Sequence, residues 1–268
     1  MKFDICIPVN HNLNCLEVAI QGWAYHLKNK ESVRKFILHI QHPEEEEAAI
    51  KIITDHGFEA EVVSRGIHQE NMVHPMNRML NGCQAKWVVM AEQDVFIHQP
   101  IDEVVEEMEL LEFIAAGPID TFYYDNLNAR EQPAYGRYGR LSGEPGHYHS
   151  SLIILNRDAV LSRSENPFSI KEGTVIHGTG VFGGEMYHGL RLNIEQKKSE
   201  LAFFRQLHTN YGYAAEITTG TEKLATHLYY SSHQTVYTDP GGHLTMDEAE
   251  WLRAEELRFL NDYKQTLK

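Results

Sequence analysis

Trp87-Val-Val-Met-Ala-Glu-Gln-Asp-Val-Phe-Ile97 is the stretch that decides the fold of this chain. Trp87 to Ala91 reads as a buried strand that ends abruptly in two carboxylates, Glu92 and Asp94, before the chain turns apolar again. Residues two apart on a strand share one face, so Glu92 and Asp94 are expected to project together from the strand's end. Two hard oxygen ligands on one side suit Mg²⁺ or Mn²⁺ held jointly with a substrate phosphate. The plainer alternative is a solvated loop with two acids after a core strand.

Upstream of this stretch, strand and helix signals alternate, the pattern of an α/β domain with a mainly parallel sheet. Residues 3–9 read as a first strand, 10–14 as a polar loop and 15–28 as a helix. Strand signals cover 33–41 and 60–64. Between them a helix runs to about His56, opened by Pro43 and four glutamates at the favourable N-terminal end. A helix over 72–84 feeds the Trp87 strand.

Downstream, the pattern predicts a helix from Pro100 to about Glu112, strands over 113–117 and 151–156, and a helix opening at Arg157. It also predicts a helix over 198–207 and a terminal amphipathic helix over 246–268, with Leu252, Leu257 and Leu260 at helical spacing. Residues 118–148 are rich in Tyr, Gly, Asn and Arg and lack periodicity. A loop that long is usually functional or disordered, and its tyrosines favour a substrate-facing segment. No repeat, low-complexity tract or linker divides the chain, so one domain over 1–268 is expected.

Composition narrows the classes. The chain of 268 residues is long enough for a sizeable core, and no apolar run approaches the length needed to span a bilayer. A net charge of -14 disfavours a broad grip on nucleic acid or anionic membrane. Cys6, Cys15 and Cys83 are too few and scattered for a disulfide framework, and Met1-Lys2-Phe3-Asp4 leads into a strand without a signal-peptide apolar region. Free thiols in a cytoplasmic protein are therefore expected. The loop after the first strand, Asn10-His-Asn-Leu-Asn14, has no glycine or Lys/Arg, and no Walker sequence appears.

The order of these pieces resembles a GT-A glycosyltransferase, the nucleotide-sugar-dependent class with one Rossmann-like domain, of a family-2-like kind. The likeness covers roughly residues 3 to 230. Ile5-Cys-Ile-Pro-Val-Asn-His11 looks like that family's opening nucleotide-binding strand. Asn77 to Asp94 resembles its helix, strand and acidic signature, with Glu92-Gln93-Asp94 in place of Asp-x-Asp. Gly180-Val-Phe-Gly-Gly-Glu-Met-Tyr187 is similar to a second segment, in which glycines let the backbone approach the donor sugar and an acid serves the acceptor; here Met186 follows Glu185 where an acid is common.

The resemblance implies a role for each position. Asp94 would hold the metal, Mn²⁺ or Mg²⁺, with Glu92 near ribose or metal and His227 as a further metal ligand. His208, His233 and the pair His147 and His149 are competitors for that last place. Pro8, Asn10, His11, Ser64, Arg65 and Arg78 are candidates to contact the nucleotide, at the strand ends where open α/β sheets bind ligands. Glu185 is the candidate catalytic base for an acceptor hydroxyl.

The resulting expectation is a metal-dependent transfer of a sugar from a nucleoside diphosphate sugar, with a UDP-sugar the donor the resemblance favours, to a hydroxyl acceptor. The nucleotide part would be about 1–117, the acceptor part about 118–245 and the C-terminal helix 246–268. The acceptor class stays open among glycan, small molecule, protein and modified nucleic-acid base; Arg130, Arg137 and Arg140 could form a local phosphate groove for the last. The alternatives are a sugar-phosphate nucleotidyltransferase, which normally opens with a glycine-rich basic loop, and a noncatalytic nucleotide-sugar-binding protein.

Overall fold

Alternation within the first strand builds both sides of the molecule. In a computed structural model, which describes residues 1–66, 73–120, 132–135, 138–140, 151–170, 190–192, 201–208, 214–228 and 246–268, β1 (Phe3–Val9) sends Phe3, Ile5, Ile7 and Val9 into one apolar cluster and Cys6 into another. β4 (Trp87–Ala91) divides in the same way. Trp87, Val89 and Ala91 join the first cluster, and Val88 and Met90 the second. A strand buried on both faces belongs at the centre of a layered α/β sheet.

The helices cover these two faces. α1 (Leu13–His26), α2 (Glu46–Asp55) and α4 (Ile101–Leu110) supply Leu16, Ile20, Trp23, Ile53, Val104 and Met108 to the first cluster. α3 (Val73–Gly82) and α5 (Arg157–Leu161) supply Met76, Met79, Leu80 and Val160 to the second. All three cysteines are buried free thiols.

With β2 (Val33–Ile40), β3 (Ala60–Arg65), β6 (Ala115–Asp120), β9 (Leu152–Asn156) and β12 (Leu201–His208), the order β3-β2-β1-β4-β9-β6-β12 forms the main sheet. β3, β2, β1, β4, β6 and β12 run one way, and β9 is inserted against them between β4 and β6. The expected mainly parallel sheet is thus observed.

Several local expectations are corrected. Residues 198–207, expected as a helix, contain β12, which pairs in parallel with β6 from Leu201↔Ala115 to Gln206↔Asp120. Leu-Ala-Phe-Phe-Arg-Gln-Leu-His suits either period, and the partner more than eighty residues away decides between them. The aperiodic stretch 118–148 contains β7 (Gln132–Tyr135) and β8 (Tyr138–Arg140), and β8 pairs with β12. A hairpin of β13 (Ala214–Thr219) and β14 (Glu222–Leu228) extends the sheet beyond β12 and had no clear sequence signal. β10 (Phe168–Ile170) and β11 (Leu190–Leu192) pair separately.

The terminal helix, α6 (Met246–Thr266), packs Leu252, Leu260 and Tyr263 against Cys15, Val18 and Ala19 of α1 and against Phe96. Leu257 is 55% exposed, so it is not part of the apolar stripe. None of the described helices is long and apolar enough to cross a membrane.

Candidate active site

The Trp87–Ile97 stretch is not one strand. β4 stops at Ala91, and β5 (Val95–Ile97) leaves in a new direction after a turn in which the Val95 N–H donates to the Glu92 carbonyl at 3.2 Å. The Glu92 N–H donates to the Ser151 carbonyl at 3.0 Å, which fixes the entry to that turn. Glu92 and Asp94 therefore share a side through a turn rather than through strand alternation.

β5 then pairs antiparallel with β14, with Val95 opposite His227, and the Leu228 N–H donates to the Asp94 carbonyl at 3.2 Å. This ladder delivers His227 to the acids. Its Nε2 lies 3.0 Å from Glu92 Oε2 and 3.5 Å from Asp94 Oδ1. One ligand atom from each of the three residues lies within 4.8 Å of the others.

The site is dry. Asp94 and His227 are buried, and the Glu92 side chain is 12% exposed. Burial pushes the imidazole toward its neutral form, but the Asp94 and Glu92 carboxylates override it and raise its pKa to about 10. Two carboxylates out of water need a compensating positive charge. A protonated His227 supplies that charge here, and a divalent cation held by two carboxylate oxygens and a neutral imidazole nitrogen would meet the same need. This mixed N/O donor set fits Mn²⁺ and admits Mg²⁺.

Gln93, between the two acids, ties them to the loop after β1. The Asn10 N–H donates to Gln93 Oε1 at 2.7 Å, while Gln93 Nε2 donates to the carbonyls of Asn10 and of His11, the latter at 3.2 Å. His11 stacks on His42 with ring centroids 3.4 Å apart, and its Nδ1 lies 3.1 Å from Glu45 Oε1. His42 Nε2 lies 3.0 Å from Asn10 Oδ1. His11 and Asn12 both have positive φ, 29° and 43°, and the Asn12 side chain caps α1 by accepting from the Cys15 N–H.

The expected nucleotide contacts divide. Pro8, Asn10 and His11 sit at the C-terminal end of β1, next to the acidic turn. Arg65 ends β3 but is held by both Glu46 oxygens on α2, at 2.6 and 2.5 Å. Arg78 is exposed on α3. Ser64 is buried, with Oγ 2.7 Å from His39 Nδ1. Glu185, His147, His149, His233, Arg130 and Arg137 lie outside the described residues, while His208 falls in β12 and Arg140 in β8.

Gln93, Asn12, His42 and Glu45 join this cluster without standing out in the sequence as contacts. The available signals were a lone amide between two acids and a polar residue directly before a helix.

No family model matches the chain, and no curated protein is similar to it in sequence. Solved structures do share its fold. A fragment of TarS from S. aureus, residues 1–349, is 12% identical with a TM-score of 0.52, covering 96% of this chain and 71% of that one. The same fragment in complex with UDP gives 10% identity, a TM-score of 0.50 and the same coverage. Against the longer TarS structure the TM-score is 0.52 at 11% identity, and this chain spans 43% of that length. The chain has the GT-A fold.

Proposed function

We propose that this protein is a metal-dependent glycosyltransferase that moves a sugar from a nucleoside diphosphate sugar to a hydroxyl acceptor. The reading rests on the convergence of Glu92, Asp94 and His227 at the C-terminal end of β4 in a GT-A fold. UDP is favoured as the nucleotide, because the TarS fragment of like fold has been solved with UDP.

Glu92, Asp94 and His227 would hold a divalent cation. When bound, such a cation offsets the negative charge that develops on the departing nucleoside diphosphate. The protein's own residues do the rest. Asp94 and His227 are buried, and the lower local dielectric would strengthen their electrostatics. Gln93 fixes the Asn10–His11 loop beside the acids, where Pro8, Asn10 and His11 receive the base and ribose, and Arg65 and Arg78 remain candidates for outer contacts. Within the acceptor part, about 118–245, Glu185 would take the proton of the acceptor hydroxyl. The candidate acceptor classes are glycan, small molecule, protein and modified base.

The test is calorimetric titration of UDP and GDP into the protein, with Mn²⁺ and with EDTA, for wild type and Asp94→Ala. Binding that requires Mn²⁺ and disappears in Asp94→Ala is the expected result. Failure of both nucleotides to bind under every condition would sink the reading. Binding that ignores both metal and Asp94 would remove the metal from it.

A further inference from the structure

The C-terminal helix carries an acid on the face that packs against the domain. Leu252, Glu256, Leu260, Tyr263 and Leu267 follow at i, i+4, i+8, i+11 and i+15, the spacing of a single helix face. The four apolar members are buried in the cluster that α6 shares with α1 and Phe96. Glu256 is only partly buried, and its Oε1 accepts from Asn12 Nδ2 at 2.7 Å. Burial raises the carboxyl's pKa and the negative charge of Asp94 adds to the rise, while the Asn12 hydrogen bond and the nearby Arg253 charge oppose it. Helix packing alone would favour leucine here.

Asn12 is the residue that makes this exception intelligible. It and His11 are consecutive non-glycine residues at positive φ, a conformation that persists only where the surroundings over-determine it. Gln93 restrains the loop from the β4 side, through the carbonyls of Asn10 and His11. Glu256 restrains it from α6, through the Asn12 amide, whose oxygen meanwhile caps α1. A polar position that interrupts an otherwise apolar helix face is where function is expected to act.

We infer that Glu256 is a positioning residue of the donor site: from the C-terminal helix it holds the strained 10–12 loop in the shape that receives the nucleoside diphosphate. This rests on the glycosyltransferase reading. Glu256 acts through Asn12 and does not itself touch the substrate, so docking of α6 and nucleotide affinity are coupled.

The test compares Glu256→Leu and Glu256→Gln with wild type in the full chain. Four quantities are read: the UDP dissociation constant with Mn²⁺, the dissociation constant of Mn²⁺ alone, the urea unfolding midpoint, and amide exchange at His11 and Asn12 without nucleotide. Glu256→Leu completes the apolar stripe, so its unfolding midpoint should equal or exceed that of wild type. Its UDP affinity should nonetheless fall by about tenfold or more, equivalent to about 1.4 kcal/mol. Its Mn²⁺ affinity should stay within about twofold, and exchange at His11 and Asn12 should quicken. Glu256→Gln keeps an acceptor oxygen and should bind UDP within about threefold of wild type.

Opposite movement of stability and affinity is the signature that a merely structural role would not produce. Wild-type UDP affinity in Glu256→Leu would overturn the inference. So would a Glu256→Gln protein as weak as Glu256→Leu, because charge rather than the hydrogen bond would then be the requirement. If wild type binds no nucleotide, the glycosyltransferase reading and the donor-site role fall together; unchanged exchange in Glu256→Leu would instead refute the loop restraint while leaving nucleotide binding intact.

Discussion

Gln93 and Asn10 are joined by two hydrogen bonds: the Asn10 N–H donates to Gln93 Oε1 at 2.7 Å, and Gln93 Nε2 donates back to the Asn10 carbonyl. A side-chain amide thus pairs with both backbone groups of one residue, as a neighbouring antiparallel strand would. Because Gln93 stands between Glu92 and Asp94, this pairing makes the acidic turn and the loop after β1 one unit.

Gln93→Glu removes the donor and turns a carboxylate oxygen toward the Asn10 and His11 carbonyls. The buried, unpaired charge should cost about 3 kcal/mol of stability. Gln93→Ala, which only deletes the bonds, should cost about 1–2 kcal/mol. Urea unfolding at pH 7.5 ranks the two. Equal losses would mean that the donor end of the amide is not what matters.

Mn²⁺ should stabilise the folded protein, and EDTA should reverse the effect. At a free Mn²⁺ concentration of about one hundred times the dissociation constant, the gain is about 2.7 kcal/mol. Thermal unfolding of Asp94→Asn should be indifferent to Mn²⁺. His227→Ala in EDTA should lose about 3 kcal/mol, because it leaves two buried carboxylates facing each other without a counter-charge.

Gly22 lies in α1 where a side chain would run into the Tyr263 hydroxyl of α6. That hydroxyl donates to the Ile97 carbonyl at the end of β5. Gly22→Ala should gain about 1 kcal/mol of helix propensity yet destabilise overall by about 1–2 kcal/mol, because the displaced ring gives up its packing and its bond. Combined with Tyr263→Phe, the loss should be less than additive in a double-mutant cycle, since the second change removes the colliding oxygen.

His98 sets a pH limit. Burial, with smaller contributions from Lys223 and His26, lowers its pKa from 6.5 to about 3, and its Nε2 lies 2.9 Å from Thr226 Oγ1. The folded state then binds fewer protons than the unfolded state between these values, so the stability is complete above pH 6.5 and is lost as pH falls toward 3. The slope approaches about 1.4 kcal/mol per pH unit for one proton. His26, also lowered by burial, acts in the same direction. His227, whose folded-state pKa is raised, opposes this slope near pH 6.5, where its unfolded imidazole is only half-protonated, and drops out as pH falls further. Urea unfolding from pH 6.5 to 5.0 measures the effect, and His98→Gln should flatten the curve.

The parts legible in the sequence were those with a local cause. The alternation in β1 and β4 announces strands buried on both faces, and residues 73–82 and 101–110 became helices inside their predicted spans. Residues 201–208 and the hairpin over 214–228 were not legible. Their strand character comes from partners distant in the chain, and a short mixed run carries no periodicity strong enough to choose without them. Leu257 fitted a helical pattern by residue type yet faces solvent, because only the neighbour of a helix determines which face is covered.

The sequence by itself determined that Trp87–Ala91 is a core strand, that two acids follow it, and that the flanking segments alternate as an α/β domain. Those features depend on side-chain chemistry and neighbours along the chain. The tertiary structure alone decided that His227 closes the acidic pair, because the ladder between β5 and β14 brings together residues more than 130 positions apart. It also decided that Gln93 and Glu256 restrain one loop from two sides. Hydrogen bonds of that reach leave no periodic trace, since their geometry is created by the packing of the elements that carry them.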